Sequence, residues 1–129
     1  MIPERYAPIT YALFRIVFGF LFLAFGLQKT AGLFGGRAMP LASMLGAAGV
    51  IETVCGALIM VGLLTRPAAF LASGEMAAAY FIAHMPQSWI PLVNMGERAA
   101  MFSLAFLYIC TRGAGIWSLD SAFGLSRRT

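Results

Sequence analysis

Three ionisable residues, Arg15, Glu52 and Glu75, stand inside apolar sequence, and both acids fall in the nearly unbroken apolar stretch VIETVCGALIMVGLLTRPAAFLASGEM, residues 50–76. A charge left unpaired at mid-bilayer costs at least about 2.5 to 3.5 kcal/mol, so these side chains are expected to face one another rather than lipid. One arginine cannot neutralise two glutamates. The surplus acid is expected to hold a proton, which makes Glu52 and Glu75 candidate proton carriers, Glu52 first because it lies deeper from the inner face. A second polar set gathers where the apolar runs end: Gln28 and Lys29, then His84, then Asn94, Glu97 and Arg98. Asn94 and Glu97 also stand where they can satisfy the orphan N–H groups that open a helix.

Other chemistries lack their residues. No serine sits in a nucleophile-elbow context, and one histidine with eight scattered methionines makes no haem or copper motif, so no metal site is expected. Cys55 and Cys110 are read as small buried hydrophobes, too far apart along their helices to form a disulfide.

The elements that must position these residues follow from composition. The chain is 60% hydrophobic and 11% charged, with a mean hydropathy of +0.84, which excludes an ordinary soluble domain. Four apolar segments, about residues 9–28, 43–64, 67–84 and 92–111, each approach the ~20 residues that a helix needs to cross the hydrocarbon layer. Lipid cannot satisfy backbone polar groups, so the segments are expected to be helices. The expected fold is an all-α, integral membrane four-helix bundle forming a single domain over residues 1–129. The first segment is too long for a signal h-region and has no cleavage motif, so it is read as a retained helix.

An even number of spans places both termini on one side, with Arg5, Arg66, Arg112, Arg127 and Arg128; the other side holds Lys29, Arg37 and Arg98. That asymmetry predicts cytoplasmic termini in a bacterial cytoplasmic (inner) membrane. The scattered basic residues lack aromatic interleaving, so no nucleic-acid partner is expected. Residues 29–40 read as an irregular outer loop. Pro67 suits the first turn of the third span and disfavours helix at Arg66, which closes a hairpin between spans two and three. In the tail, residues 113–129, Ser118 is a candidate N-cap of a short amphipathic helix on the inner surface.

Helical spacing then groups the polar residues. Arg15, Gly19, Phe22, Gly26 and Lys29 form one stripe; Ala48, Gly49, Glu52, Cys55 and Gly56 form another; Ala68, Ala72, Glu75 and Ala79 form a third. The fourth span is expected to present Asn94, Glu97, Met101, Ala105 and Tyr108 on one face. Small residues admit close helix approach, so these faces are expected to meet. At the helical rise, Arg15 lies ~9 Å from the inner boundary, Glu75 ~12 Å and Glu52 ~18 Å, which predicts that Arg15 pairs with the acids.

The ordered set ALFRIVFGFLFLAFGLQKTAGLFGG, GVIETVCGALIMVGLLTRPAAFLASGEMAAAYFIAH, NMGERAA and GAGIWSLD, spanning residues 10–121, resembles the DoxX family of small four-helix membrane proteins. The matching positions are Arg15, Gln28, Lys29, Glu52, Glu75, Asn94, Glu97 and Asp120. The resemblance implies a link to quinone-dependent or sulfur redox systems, although this chain lacks the cysteine pair that dithiol chemistry needs. The expectation is a redox-accessory protein with no covalent cofactor that binds a quinone or other small lipophilic ligand. Glu52 and Glu75 would carry protons, Arg15, Gln28, Lys29, His84, Asn94 and Glu97 would contact the ligand, and a partner redox protein would supply electrons. Any catalysis would be that of a subunit of a quinone-linked oxidoreductase. The alternatives are a non-catalytic assembly subunit or a small proton-linked transporter. The glycines of spans one and two also suggest a homodimer.

Overall fold

The computed structural model describes residues 2–40, 43–91 and 96–125. The regular elements among these residues are all helices, with no strand among them. After a short turn at Glu4–Tyr6 come α1 (Ala7–Thr30), α2 (Met44–Val61), α3 (Thr65–Ala79), α4 (Glu97–Arg112) and a one-turn α5 (Leu119–Ala122). Glu4–Thr30 and Met44–Val61 are long and apolar enough to cross a membrane.

Helix ends follow local chemistry. The Ser43 hydroxyl caps α2 by accepting from Gly46 N at 3.0 Å. At the other end Gly62 adopts φ 73, and Leu63 N donates to Leu58 O at 2.9 Å, the left-handed ending that glycine favours. A Cβ at Gly62 would also collide with Ser118. Helix α3 begins at Thr65, not after Arg66 as the proline rule predicts. Pro67 is tolerated two residues in because no helical carbonyl lies four residues before it. The Asp120 carboxylate fixes this start, accepting from Leu64 N at 2.9 Å and Thr65 N at 3.0 Å.

Two helix pairs carry most of the packing, α1 with α2 and α3 with α4, and the approach of α1 to α4 is much sparser. Glycines set the first pair. A Cβ at Gly19 would meet Met60 backbone, one at Gly26 would meet Thr53 backbone, and one at Gly56 would meet Leu23 backbone. Gly19 and Gly26 of the first stripe therefore serve the contact of α1 with α2. Small residues set the second pair: Ala68, Ala69 and Ala72 are buried, and Ser73 and Ser103 each donate to the other's backbone carbonyl, at 2.8 and 3.0 Å. Rings fill the wider gap between α1 and α4, with Phe22 against Phe106 at 4.6 Å between centroids and Phe18 against Phe102 at 5.6 Å.

The buried faces of α1 and α2 follow the expected stripes, Arg15, Gly19, Phe22 and Gly26 on one and Gly49, Glu52, Cys55 and Gly56 on the other. Helix α4 departs from expectation. It buries Ala99, Phe102, Phe106 and Ile109, whereas Met101 is 63% and Tyr108 49% exposed. Phenylalanines are needed to bridge to α1, and they decide the face.

Candidate functional site

The two basic residues of the α1 stripe end at opposite ends of the molecule. Helical side chains lean toward the N-terminus of their own helix, so Arg15 reaches away from the acids and Lys29 reaches back toward them. Arg15, fully buried, donates Nε to Ile59 O at 3.0 Å, Nη1 to Ala114 O and to Ile116 O at 3.1 Å, and Nη2 to Trp117 O at 2.8 Å. The expected pairing of Arg15 with Glu52 and Glu75 does not form, because backbone carbonyls of the tail and of α2 take its donors. Glu52 packs level with Gly26, which is eleven residues and about 16 Å along α1 from Arg15.

Around Arg15 the end of the molecule that carries the termini is closed by related contacts. The Tyr11 hydroxyl donates to Gly113 O at 2.5 Å. Arg66 donates to Cys110 O at 2.8 Å and Thr111 O at 2.6 Å, satisfying carbonyls at the end of α4. Ser118 caps α5 as expected, accepting from Ser121 N at 3.1 Å. Asp120, matched only through the family pattern, is 6% exposed and holds the tail against the start of α3. The GAGIWSLD segment is thus a structural plug.

At the other end lies a cavity of about 440 Å³ to which α1, α2, α3 and α4 all contribute. Its ionisable lining is Lys29, Glu52, Glu75, His84 and Arg98; Phe22, Phe25 and Phe102 supply aromatic wall. Lys29 Nζ donates to both carboxylate oxygens of Glu52, at 2.6 and 2.7 Å, and the Glu52 side chain is 1% exposed. Glu52, expected as the surplus acid, is therefore the paired one. Glu75 Oε2 is buried and has no hydrogen-bond partner among the described residues. The Arg98 guanidinium stacks over the Phe25 ring at 4.2 Å.

His84 reaches this cavity through a local irregularity of the backbone. Beyond α3 the helix widens over Tyr80–His84, and Met85 N donates to Tyr80 O, five residues back, at 2.8 Å. An ideal α-helix would put His84 on the face opposite Glu75, nine residues away. The extra residue of the wide turn swings it by close to ~100° toward the Glu75 face. Of the other expected contact residues, Gln28 donates from its amide to Phe34 O at 3.1 Å, which pins the loop after α1. Glu97 is exposed in the first turn of α4, and neither residue lines the cavity. Asn94 lies outside the described residues. Arg98 also lines the cavity, and its one sequence signal is its position one residue after Glu97.

Buried Arg15, Glu52 and Asp120 beside exposed Phe20, Val54, Phe70 and Leu104 invert the pattern of a water-soluble protein. This defines an all-helical membrane protein with a polar-tipped apolar cavity. The DoxX family profile matches residues 10–85, and the chain belongs to the DoxX family. The NMGERAA and GAGIWSLD motifs lie beyond the matched stretch. The chain is 41% identical over 127 residues to an uncharacterized protein of Haemophilus influenzae, covering 93% of this chain and 95% of that one. It is 27% identical over 124 residues to an uncharacterized membrane protein of Mycobacterium tuberculosis, covering 82% and 76% of the two chains. No solved structure matches at a significant level.

Proposed function

We propose that this protein is a redox-accessory subunit of a bacterial cytoplasmic membrane that holds a quinone-like ligand in the cavity at the Lys29 end. In this reading one domain crosses the bilayer four times: α1, α2, α3 with its wide turn, and the α4 segment. Both termini are cytoplasmic, and the cavity opens toward the opposite face. The excess of arginines at the end of the molecule that carries the termini supports that orientation. So do Trp89 and Trp117, 78% and 59% exposed, near opposite ends where interfacial aromatics sit.

The observation that carries the reading is Glu75 Oε2, a buried carboxyl oxygen without a hydrogen-bond partner among the described residues, in an apolar cavity beside a satisfied Lys29–Glu52 pair. A neutral ring with polar oxygens fits such a site: Phe22, Phe25 and Phe102 flank it, Lys29 keeps one N–H beyond the two spent on Glu52, Arg98 keeps its N–H edge while its plane lies over Phe25, and the Glu75 carboxyl lines the same cavity. When bound, a quinone supplies the electron-accepting chemistry, and electrons come from a partner redox protein. The chain's own residues orient the ring, exclude water and hold or move a proton at Glu75 Oε2. Pairing with Lys29 makes Glu52 the fixed anchor and Glu75 the proton carrier.

The test is mass spectrometry of lipophiles extracted from gently purified native protein. Wild type is expected to carry about one quinone per chain, and Ala48→Trp, which fills the cavity, is expected to lose it. Equal lipophile content in both proteins, at the level of the surrounding membrane, would contradict the proposal.

A further inference from the structure

We infer that the same cavity also binds lipophilic ammonium cations, which enter from the bilayer and displace a proton from Glu75. This rests on the reading of the cavity as a ligand site and is independent of whether a quinone occupies it.

Charge is unevenly matched across the cavity. Lys29 spends its contacts on both oxygens of Glu52, and Arg98 lies over Phe25. The ionisable groups gathered with Glu75 are Lys29 from α1, Glu52 from α2, His84 from the wide turn and Arg98 from α4, with Cys55 of α2 buried nearby. None donates a hydrogen bond to Glu75 Oε2. Among the described residues no donor meets Oε2 of an ionised Glu75, so a cation brought in from outside satisfies it; a protonated Glu75 can donate to a neutral acceptor, and gives up its proton when a cation takes that place.

The walls select what kind of cation that is. A small hydrated ion would lose its water to methyl groups and rings that cannot replace it. An ammonium carried on an apolar skeleton loses little, and the partly exposed ring of Phe25 attracts it. Phe25 already receives one cation, the Arg98 guanidinium, which shows that a ring of this wall can do so. The cavity volume, about 440 Å³, suits a molecule of two aromatic rings. The route follows from the rim: Met44, Leu45 and Ile82 line the cavity and are 72%, 52% and 61% exposed, so the opening between α2 and the far end of α3 is apolar and faces lipid. The inner end is shut by Arg15 and the tail. No covalent step is involved; one N–H···O contact forms as one proton leaves Glu75 for solvent.

The experiment compares dibenzylammonium with dibenzyl ether, a neutral molecule of the same shape, by calorimetry on full-length protein in nanodiscs, with empty discs subtracted. The ammonium is expected to bind about tenfold tighter than the ether or better. Its affinity should rise with pH by up to about tenfold per unit, with about one proton released per cation, counted from the heats in buffers of different ionisation enthalpy. Glu75→Gln should abolish the preference and the proton release while ether binding persists, which also shows that the variant is folded. Equal binding of ammonium and ether in wild type, with a short-chain quinone still bound, would overturn this inference alone. Failure of ammonium, ether and quinone together would overturn the ligand-site reading as well.

Discussion

Lys29 and Arg15 stand on one stripe of one helix and have different fates because helical side chains lean toward the N-terminus. Lys29 closes on a carboxylate that is 1% exposed, so removing the lysine leaves a buried acid with no fixed partner. Lys29→Met is expected to destabilise the protein by about 3 to 5 kcal/mol, and the double variant Lys29→Met/Glu52→Gln to recover most of that loss. Reversible unfolding in mixed micelles measures both, and additive losses would contradict the pairing. Arg15 holds four carbonyls in a planar fork that lysine cannot reproduce, and its work is structural.

At the scale of the helix, the close contact of α1 with α2 depends on having no side chain at particular positions. Gly56→Ala places a methyl against Leu23 backbone, where neither helix can yield, and is expected to cost about 1 to 3 kcal/mol. Gly74→Ala, on a helical residue with nothing within 4 Å of the added carbon, is expected to be neutral or stabilising by up to about 1 kcal/mol. Thermal unfolding of the pair in one detergent checks the contrast. The stripes of α1 and α2 were legible because small and charged residues recur at helical spacing among large apolar ones. The face of α4 was not, because in a segment apolar all round only the partner across the gap decides which rings turn inward. The wide turn at Tyr80–His84 had no sequence signal, so His84 could be named from its type but not aimed. The partners of Arg15 were not legible because its reach is set by the length and lean of the side chain, which spacing along the helix does not carry.

As a whole the molecule is asymmetric from end to end. The end that carries the termini is a plug of hydrogen bonds among Arg15, Tyr11, Arg66, Asp120 and the tail backbone, and the other end is an apolar cavity in which Glu75 Oε2 has no partner among the described residues. The family match ends at residue 85, so the plug and the α4 wall are read from the fold alone. In the proposed reading ligand binding lies at the Lys29 end, and Arg15, whose donors the tail and α2 carbonyls take, has no part in it, against what the sequence suggested. Photolabelling of membrane-embedded wild-type protein with an azidoquinone, followed by peptide mapping, tests this most directly. Label is expected on the peptides carrying residues 44–52 and 75–84, and excess unlabelled quinone should suppress it. Label confined to the peptides around Arg15 and Ile116, or spread over the outward faces of α1 and α4 and insensitive to competitor, would contradict the account.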